Sequence, residues 1–460
     1  MDDPVGNATS KGVVLLVATM ASFLFPFMGS AVNIALPRLG EELSLDAVML
    51  GWVATAYLLS SATFLVPFGR IADIYGRRKI FTWGVVVFAL SSLLCGMARS
   101  AAILISFRVL QGIGGAMLAA TAVALLTTVF PVNERGKVLG INVAATYLGL
   151  SLGPVLGGIL TQHLGWRSIF FLSALLGLAV IGVVLWKLKG EWTGTRGEKF
   201  DSVGSVIYIL GLVALVYGFT LLPAPLGVCL IVGGAIGLSA FVIWEIRIKS
   251  PVLDINLFRK SKTFTFSNLA ALINYSATFA VAFLISLYLQ YLKGFNPESA
   301  GLILVAMPAT QAIFSPLAGR LSDRIEPRLI ASAGMALTTI GLVIFIFLND
   351  QTPLRLIIGN LILIGFGCAL WSYVARNAVM SSVPKTAYGV ASATLATMRQ
   401  VGMSFSMGVA MLMFALYMGR VQITPEYYPL FQESMKTSFI IFAILCFGGI
   451  FASLARGRVR

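Results

Sequence analysis

Charge is what this chain has least of. Only 11% of its 460 residues are charged, while 58% are hydrophobic and the mean hydropathy is +0.92. A soluble protein carries about 25% charged residues, so this one is built for lipid. Histidine is nearly absent: His163 stands alone, at the end of a predicted helix, and reads as an interfacial side chain rather than a proton relay. The four cysteines, Cys95, Cys229, Cys368 and Cys446, are scattered singly through apolar runs. Without metal or redox spacing they are packing residues. Paired carboxylates, metal-ligand clusters and a nucleotide-binding loop are also missing. The parts of an enzyme are therefore lacking, and neither a cofactor nor a metal is expected.

What the chain has in abundance is long apolar runs. Fourteen are long enough to cross a bilayer, at about 12–36, 48–68, 79–97, 101–129, 138–161, 167–187, 203–222, 225–246, 264–292, 298–318, 329–348, 354–379, 389–418 and 436–455. The start, Met1-Asp2-Asp3, has no basic stretch and no small-residue cleavage site, so the first run reads as a retained helix rather than a signal peptide.

The net charge of +15 would suit a nucleic-acid binder, but its placement argues against that. With a cytoplasmic N-terminus, 23 Lys and Arg fall on the inner side, 7 fall outside, and Arg108, Arg376 and Arg399 lie within spans. That asymmetry fits the positive-inside rule and places both termini in the cytoplasm of a multi-pass protein of the cell membrane. The partners expected are the lipid bilayer and a small molecule, with no nucleic acid. Asn7-Ala8-Thr9 matches a glycosylation sequon but falls on the cytoplasmic side and carries little meaning.

Between the second and third runs lies Gly69-Arg70-Ile71-Ala72-Asp73-Ile74-Tyr75-Gly76-Arg77-Arg78-Lys79. Gly69 allows close backbone approach, Asp73 can cap a helix or pair with Arg, and the cations hold the loop inside. The pattern resembles the loop between helices two and three of major facilitator superfamily transporters. The pattern returns as Gly319-Arg320-Leu321-Ser322-Asp323, and Phe130–Gly136 is echoed by Val383–Gly389, at offsets of 250 and 253. The resemblance implies an all-α membrane fold: a six-helix bundle over 1–190, two inserted linker helices over 191–262, and a second six-helix bundle over 263–460. Such a 6+2+6 plan resembles the fourteen-helix drug:proton antiporter branch, with the substrate path between the halves. Conformational gating is then expected of Gly69, Asp73, Gly76, Arg77, Arg78, Glu134, Arg135, Gly319 and Asp323, which in the family latch the halves on the cytoplasmic side.

Three further segments carry the resemblance. Arg108 and Gln111, in Phe107–Gly115, resemble the fourth-helix motif linked to proton transfer. A buried Arg must face a partner, a wet cavity or a carbonyl, and the alternative is snorkelling to the interface. Gly149, Gly153, Pro154, Gly157 and Gly158 resemble the antiporter motif of the fifth helix. Glycines at 149, 153 and 157 make one smooth face, and Pro154 can bend the helix. Met398-Arg399-Gln400-Val401-Gly402 also resembles this branch, and Gly165-Trp166-Arg167 reads as an interfacial anchor.

One departure matters. Phe27–Pro37 aligns with the first-helix motif, but Met28 stands where the branch has Asp. All eighteen acidic residues lie in loops or near predicted helix ends, leaving no carboxylate deep in a helix. Arg376 meanwhile adds positive charge toward the inner half of the twelfth run, unless it snorkels to the cytoplasmic face. Candidate cavity residues are Met28, Asn33, Tyr57, Asn142, Tyr147, Asn268, Asn274, Tyr275, Trp371, Tyr373, Arg376, Asn377 and Arg399. The expectation is a secondary active transporter exporting amphipathic drugs or small molecules by alternating access, with protons as the family's coupling ion. The alternative is a carrier of an organic anion or neutral metabolite with non-standard or no proton coupling, because a cationic cavity repels lipophilic cations.

Overall fold

A computed structural model describes residues 11–194, 198–248, 250–322, 324–383 and 388–457. Asp323 and the 384–387 part of the second echo lie outside the described residues. The first six helices are α1 (Lys11–Leu43), α2 (Ala47–Tyr75), α3 (Arg77–Gly96), α4 (Ala101–Val129), α5 (Val132–Leu164) and α6 (Arg167–Lys187). A hairpin comes next, α7 (Ser202–Leu221) and α8 (Pro225–Arg247), and then the short α9 (Asn256–Lys260). The remainder comprises α10 (Lys262–Leu287), α11 (Pro297–Leu304), α12 (Ala306–Ser322), α13 (Pro327–Ile346), α14 (Leu354–Ser381), α15 (Tyr388–Tyr417) and α16 (Tyr428–Ala455). Among the described residues there is no strand, and fourteen helical segments are long and apolar enough to span. Lipid offers backbone groups no partner, so each span must satisfy its own.

The tenth span is broken. Pro308 has no N–H to offer the Leu304 carbonyl, so α11 ends there and α12 begins at Ala306. Side chains cap several helix starts: Asp46 accepts from the Met49 amide at 2.7 Å and Asn296 from Ser299 at 2.8 Å. Hydroxyls inside the spans bond back to the preceding turn, as Ser92 does to the Phe88 carbonyl at 2.6 Å.

Helices α1–α6 pack as one half and α10–α16 as the other, and the α7–α8 hairpin stands outside the seam between α2 and α15. The Tyr208 hydroxyl on α7 donates to the Ala62 carbonyl on α2 at 3.0 Å, and Phe219 meets Phe405 on α15 edge-on. One end of the molecule carries the loops rich in Arg and Lys around residues 70–79, 130–137, 187–194, 198–201, 247–248 and 250–262; we call it the basic side. The other end carries the connections near residues 44–46, 165–166, 293–296 and 418–424.

Candidate functional site between the two halves

At the end away from the basic loops, the halves are in intimate contact. The Ser286 hydroxyl donates to the Asn33 carbonyl at 2.9 Å, and the Gln290 amide donates to the Ile34 carbonyl at 3.0 Å. The Ala47 amide donates to the Val421 carbonyl at 3.0 Å, and His163 Nε2 lies 3.0 Å from Glu298 Oε2. Backbone touches backbone here. A Cβ on Gly158 would stand 2.5 Å from the Pro297 oxygen, and one on Gly301 would stand 2.1 Å from the Pro154 oxygen. Those are distances no side chain tolerates, so only glycine permits this approach.

The fifth-helix motif therefore has two faces. Gly149, Gly153 and Gly157 seat α5 on α1 within one half, where an added Cβ would meet the Phe23 oxygen at 2.5 Å, the Ser30 hydroxyl at 1.9 Å and the Ala31 oxygen at 2.8 Å. Pro154 and Gly158 look the other way and form the seal against α11. The Trp166 indole and the Arg167 guanidinium nearby both donate to Glu42, which ties the start of α6 to α1.

At mid-height the seam becomes polar and aromatic. The Tyr147 hydroxyl from the first half and the Ser372 hydroxyl from the second lie 3.1 Å apart, and the Gln311 amide donates to Ser372 at 3.4 Å. Tyr275 on α10 meets Trp371 on α14 edge-on, ring centroids 5.5 Å apart. Arg399 on α15 is within electrostatic reach of Tyr275, Tyr147 and Arg376. Its Nε and the Trp371 indole N–H are buried and find no acceptor. Among the described residues, no carboxylate pairs with Arg376 or Arg399. Among the described residues the site has two cations and no carboxylate counter-charge. The Gln400 amide closes the seam beside it, donating to Ser61 on α2 at 2.9 Å.

Of the cavity candidates, Tyr147, Tyr275, Trp371, Arg376 and Arg399 are thus brought together. Asn274 is buried on α10 with its amide nitrogen unpartnered, and Asn268 bonds back to Phe264. Tyr373, against Gly319, and Asn377 remain exposed on the basic side of this site. The others lie elsewhere. Asn142 donates to the Ala18 carbonyl and to Ser22, holding α5 to α1, and Met28 is enclosed in the core. Asn33 contributes its backbone carbonyl to the seal. Ser372, Gln311, Ser286 and Gln290 were missed by sequence reasoning; an amide or hydroxyl deep in an apolar run is the signal that could have found them.

Arg108 finds its partners inside the first half. Its Nε donates to the Val53 carbonyl at 2.9 Å and its NH1 to Gln111 at 2.6 Å, and Gln111 in turn donates to Ser92 at 2.7 Å. The guanidinium also lies over the Tyr57 ring, 4.3 Å from its centre, while the Tyr57 hydroxyl donates to the Phe25 carbonyl. A carbonyl, an amide and an aromatic face replace the water that the charge has lost.

On the basic side, Asp73 accepts from Arg77 at 2.7 and 2.8 Å, and Arg77 also reaches Thr128 and the Ala124 carbonyl. The connector after α6 folds onto this loop. The Gly194 amide donates to the Asp73 carbonyl, the Arg77 amide to the Trp192 carbonyl, and the Arg78 amide to the Glu191 carboxylate at 2.8 Å. Gly76 turns the chain at φ +123°, leaving no room for a Cβ beside Glu191. Arg70 pairs with Glu198, Glu134 with Lys11, and Arg135 bonds the Phe130 carbonyl. These bonds tie the first half to itself and to the connector.

Fold and site together define a multi-pass membrane carrier with two halves closed at one end. Residues 18–244 and 267–459 match the Major Facilitator Superfamily, and the chain belongs to that family of transporters. It is 29% identical over 453 residues to the riboflavin transporter RibZ of Clostridioides difficile, covering 96% of each chain. To the multidrug resistance protein Stp of Mycobacterium tuberculosis it is 31% identical over 407 residues, covering 86% of this chain and 75% of that one. Its fold is similar to that of a bacterial homolog of the human lysosomal transporter Spinster in an inward-facing, unoccupied conformation. The TM-score is 0.71 at 16% identity, with 99% of this chain and 98% of that one covered.

Proposed function

We propose that this chain is a secondary active carrier that exports amphipathic small molecules across the cell membrane by alternating access. Its basic side, with both termini, faces the cytoplasm. The observation that carries this reading is the seam itself: closed backbone to backbone at one end, with a polar and aromatic site at mid-height. That arrangement suits the state in which the site is reached from the cytoplasm. Export would then require the Pro154–Gly301 and Gly158–Pro297 contacts to part while the basic ends close. The latch residues Asp73, Arg77 and Arg78 are poised on the half that would swing, and Asp323 would be their counterpart. Relatives named for multidrug resistance support a broad choice of substrate.

A second reading is favoured by Arg376 and Arg399. Two guanidinium groups without a carboxylate among the described residues attract an anionic group and repel a lipophilic cation. The carrier would then prefer amphipaths with a negative group, or a neutral planar molecule that stacks on Trp371 and Tyr275. In that case Arg108 and Gln111 brace the first half, and coupling to protons needs another group.

The deciding experiment is transport in sealed proteoliposomes under an imposed pH gradient, comparing a lipophilic cation, a neutral amphiphile and an organic anion. Gradient-driven movement of the cation supports drug:proton exchange. Movement of the anion or neutral compound alone supports the second reading. Arg376→Ala and Arg399→Ala should then each weaken anion binding more than neutral binding, by about tenfold, as befits a hydrogen bond to a charged group. No movement of any compound would count against the reading.

A further inference from the structure

The insert holds a buried carboxyl pair that the transport path does not use. Asp201 caps α7, accepting from the Gly204 amide at 2.9 Å, and its other oxygen accepts from the Trp244 indole at 3.0 Å. Glu245 lies near the end of α8, where a helix-end acid is expected to reach water, yet it is only 1% exposed. Its Oε2 accepts from the Leu253 amide at 3.0 Å, so the connector from α8 to α9 folds over it. Its Oε1 accepts from no N–H or hydroxyl among the described residues. That oxygen is aimed at Asp201: the point where a Cβ on Gly204 would sit is 2.7 Å from Glu245 Oε1 and 2.2 Å from Asp201 Oδ2. The two oxygens are therefore no more than about 4.9 Å apart.

Two enclosed carboxylates that close together cannot both be ionised unless a cation lies between them. Arg247 is two residues further along α8, Arg70 on α2 is paired with Glu198, and Asp254 in the connector adds negative charge. On α15, Arg399 belongs to the mid-height site. Among the described groups, Asp201 is the charge that acts on Glu245, and the two side chains interact directly.

We infer that Glu245 carries a proton on Oε1 and donates it to Asp201, making this pair a proton-binding site within the α7–α8 insert. The proton satisfies the orphaned oxygen and cancels one of two like charges. It also holds together three pieces: the start of α7, the end of α8 and the connector that leads into α10. Because α7 spans the seam between α2 and α15, the state of this pair bears on how firmly the insert straps the halves. Loss of the proton to an alkaline basic side would set two negative charges against each other and loosen the connector.

The infrared spectrum of the carrier in lipid at neutral pH tests the assignment, whatever the carrier transports. A protonated carboxylic acid band should be present, should vanish in Glu245→Gln, and should shift in Asp201→Asn, where its acceptor changes. A wild-type spectrum without that band, or a band untouched in Glu245→Gln, overturns the proposal. A metal cation bridging two carboxylates would also leave no acid band, and overturns it equally. The wild-type spectrum is decisive by itself should either variant fail to fold. In proteoliposomes, Glu245→Gln should abolish the dependence of transport rate on basic-side pH. A dependence unchanged from wild type refutes the strap.

Discussion

Gly301→Ala offers a direct test of the seal. The added Cβ would stand 2.1 Å from the Pro154 oxygen. An ordinary carbon–oxygen contact needs about 3.3 Å, so the overlap is about 1.2 Å. Both sides of the contact are backbone, and no rotamer relieves it, so α5 and α11 must part. Overpacking of this kind costs about 1–3 kcal/mol. Only the state closed at this end bears that cost. The ratio of closed to open molecules should therefore fall by a factor of about 5–150. Distances between spin labels at Leu164 and Gln351 would report it, on the two halves at this end of the molecule, with the exposed Cys229 replaced. The long-distance population should grow in Gly301→Ala. Gly359→Ala is the control, since a Cβ there meets nothing within 4 Å. A folded Gly301→Ala carrier with a wild-type distance distribution would refute the claim that these backbones form the seal.

Gly112→Ala should behave differently. Its Cβ would collide with Ser60 Oγ at 1.9 Å and the Tyr57 oxygen at 2.3 Å, both within the first half. Every conformation bears the strain, so the thermal midpoint should fall by the equivalent of about 1–3 kcal/mol while the label distances stay as in wild type; a change in their ratio would contradict this. Asp73→Asn removes a partly exposed pair with Arg77 whose direct worth is at most about 1 kcal/mol. It should slow transport severalfold and leave substrate affinity nearly intact, and an equal loss of both would argue against a gating role.

The fourteen spans are legible because an apolar run of about 18 residues has few other uses. Their ends are less so: α1 runs on past Arg38 to Leu43, and α2 past Arg70 to Tyr75, because helices continue into water once the lipid ends. The break at Val305 stems from Pro308, yet a Pro inside a span elsewhere, such as Pro26 or Pro67, leaves its helix whole. The spacing of Gly149, Gly153 and Gly157 reveals a packing face but not its partner, which is the backbone of α1 at Phe23, Phe27 and Ala31. Arg108 could be expected to need a carbonyl, but not that of Val53, 55 positions away. Glu245 was unreadable for a related reason. Its place near the helix end suggests water, and only the returning connector shuts water out.

The hairpin of α7 and α8 enters and leaves the membrane on the same side. An even number of crossings restores the chain to the face it left, so removing the pair would reverse no later helix. Most of α8 is left uncovered by the rest of the protein. Such a unit can be gained or lost by a gene while α10 and every helix after it keep their orientation. It is held to the halves through α7: the Tyr208 hydroxyl bonds the Ala62 carbonyl on α2, Tyr217 meets Trp52 on α2, and Phe219 meets Phe405 on α15. A chain without the hairpin would have to cover the flank of α2 and α15 against which α7 packs by other means.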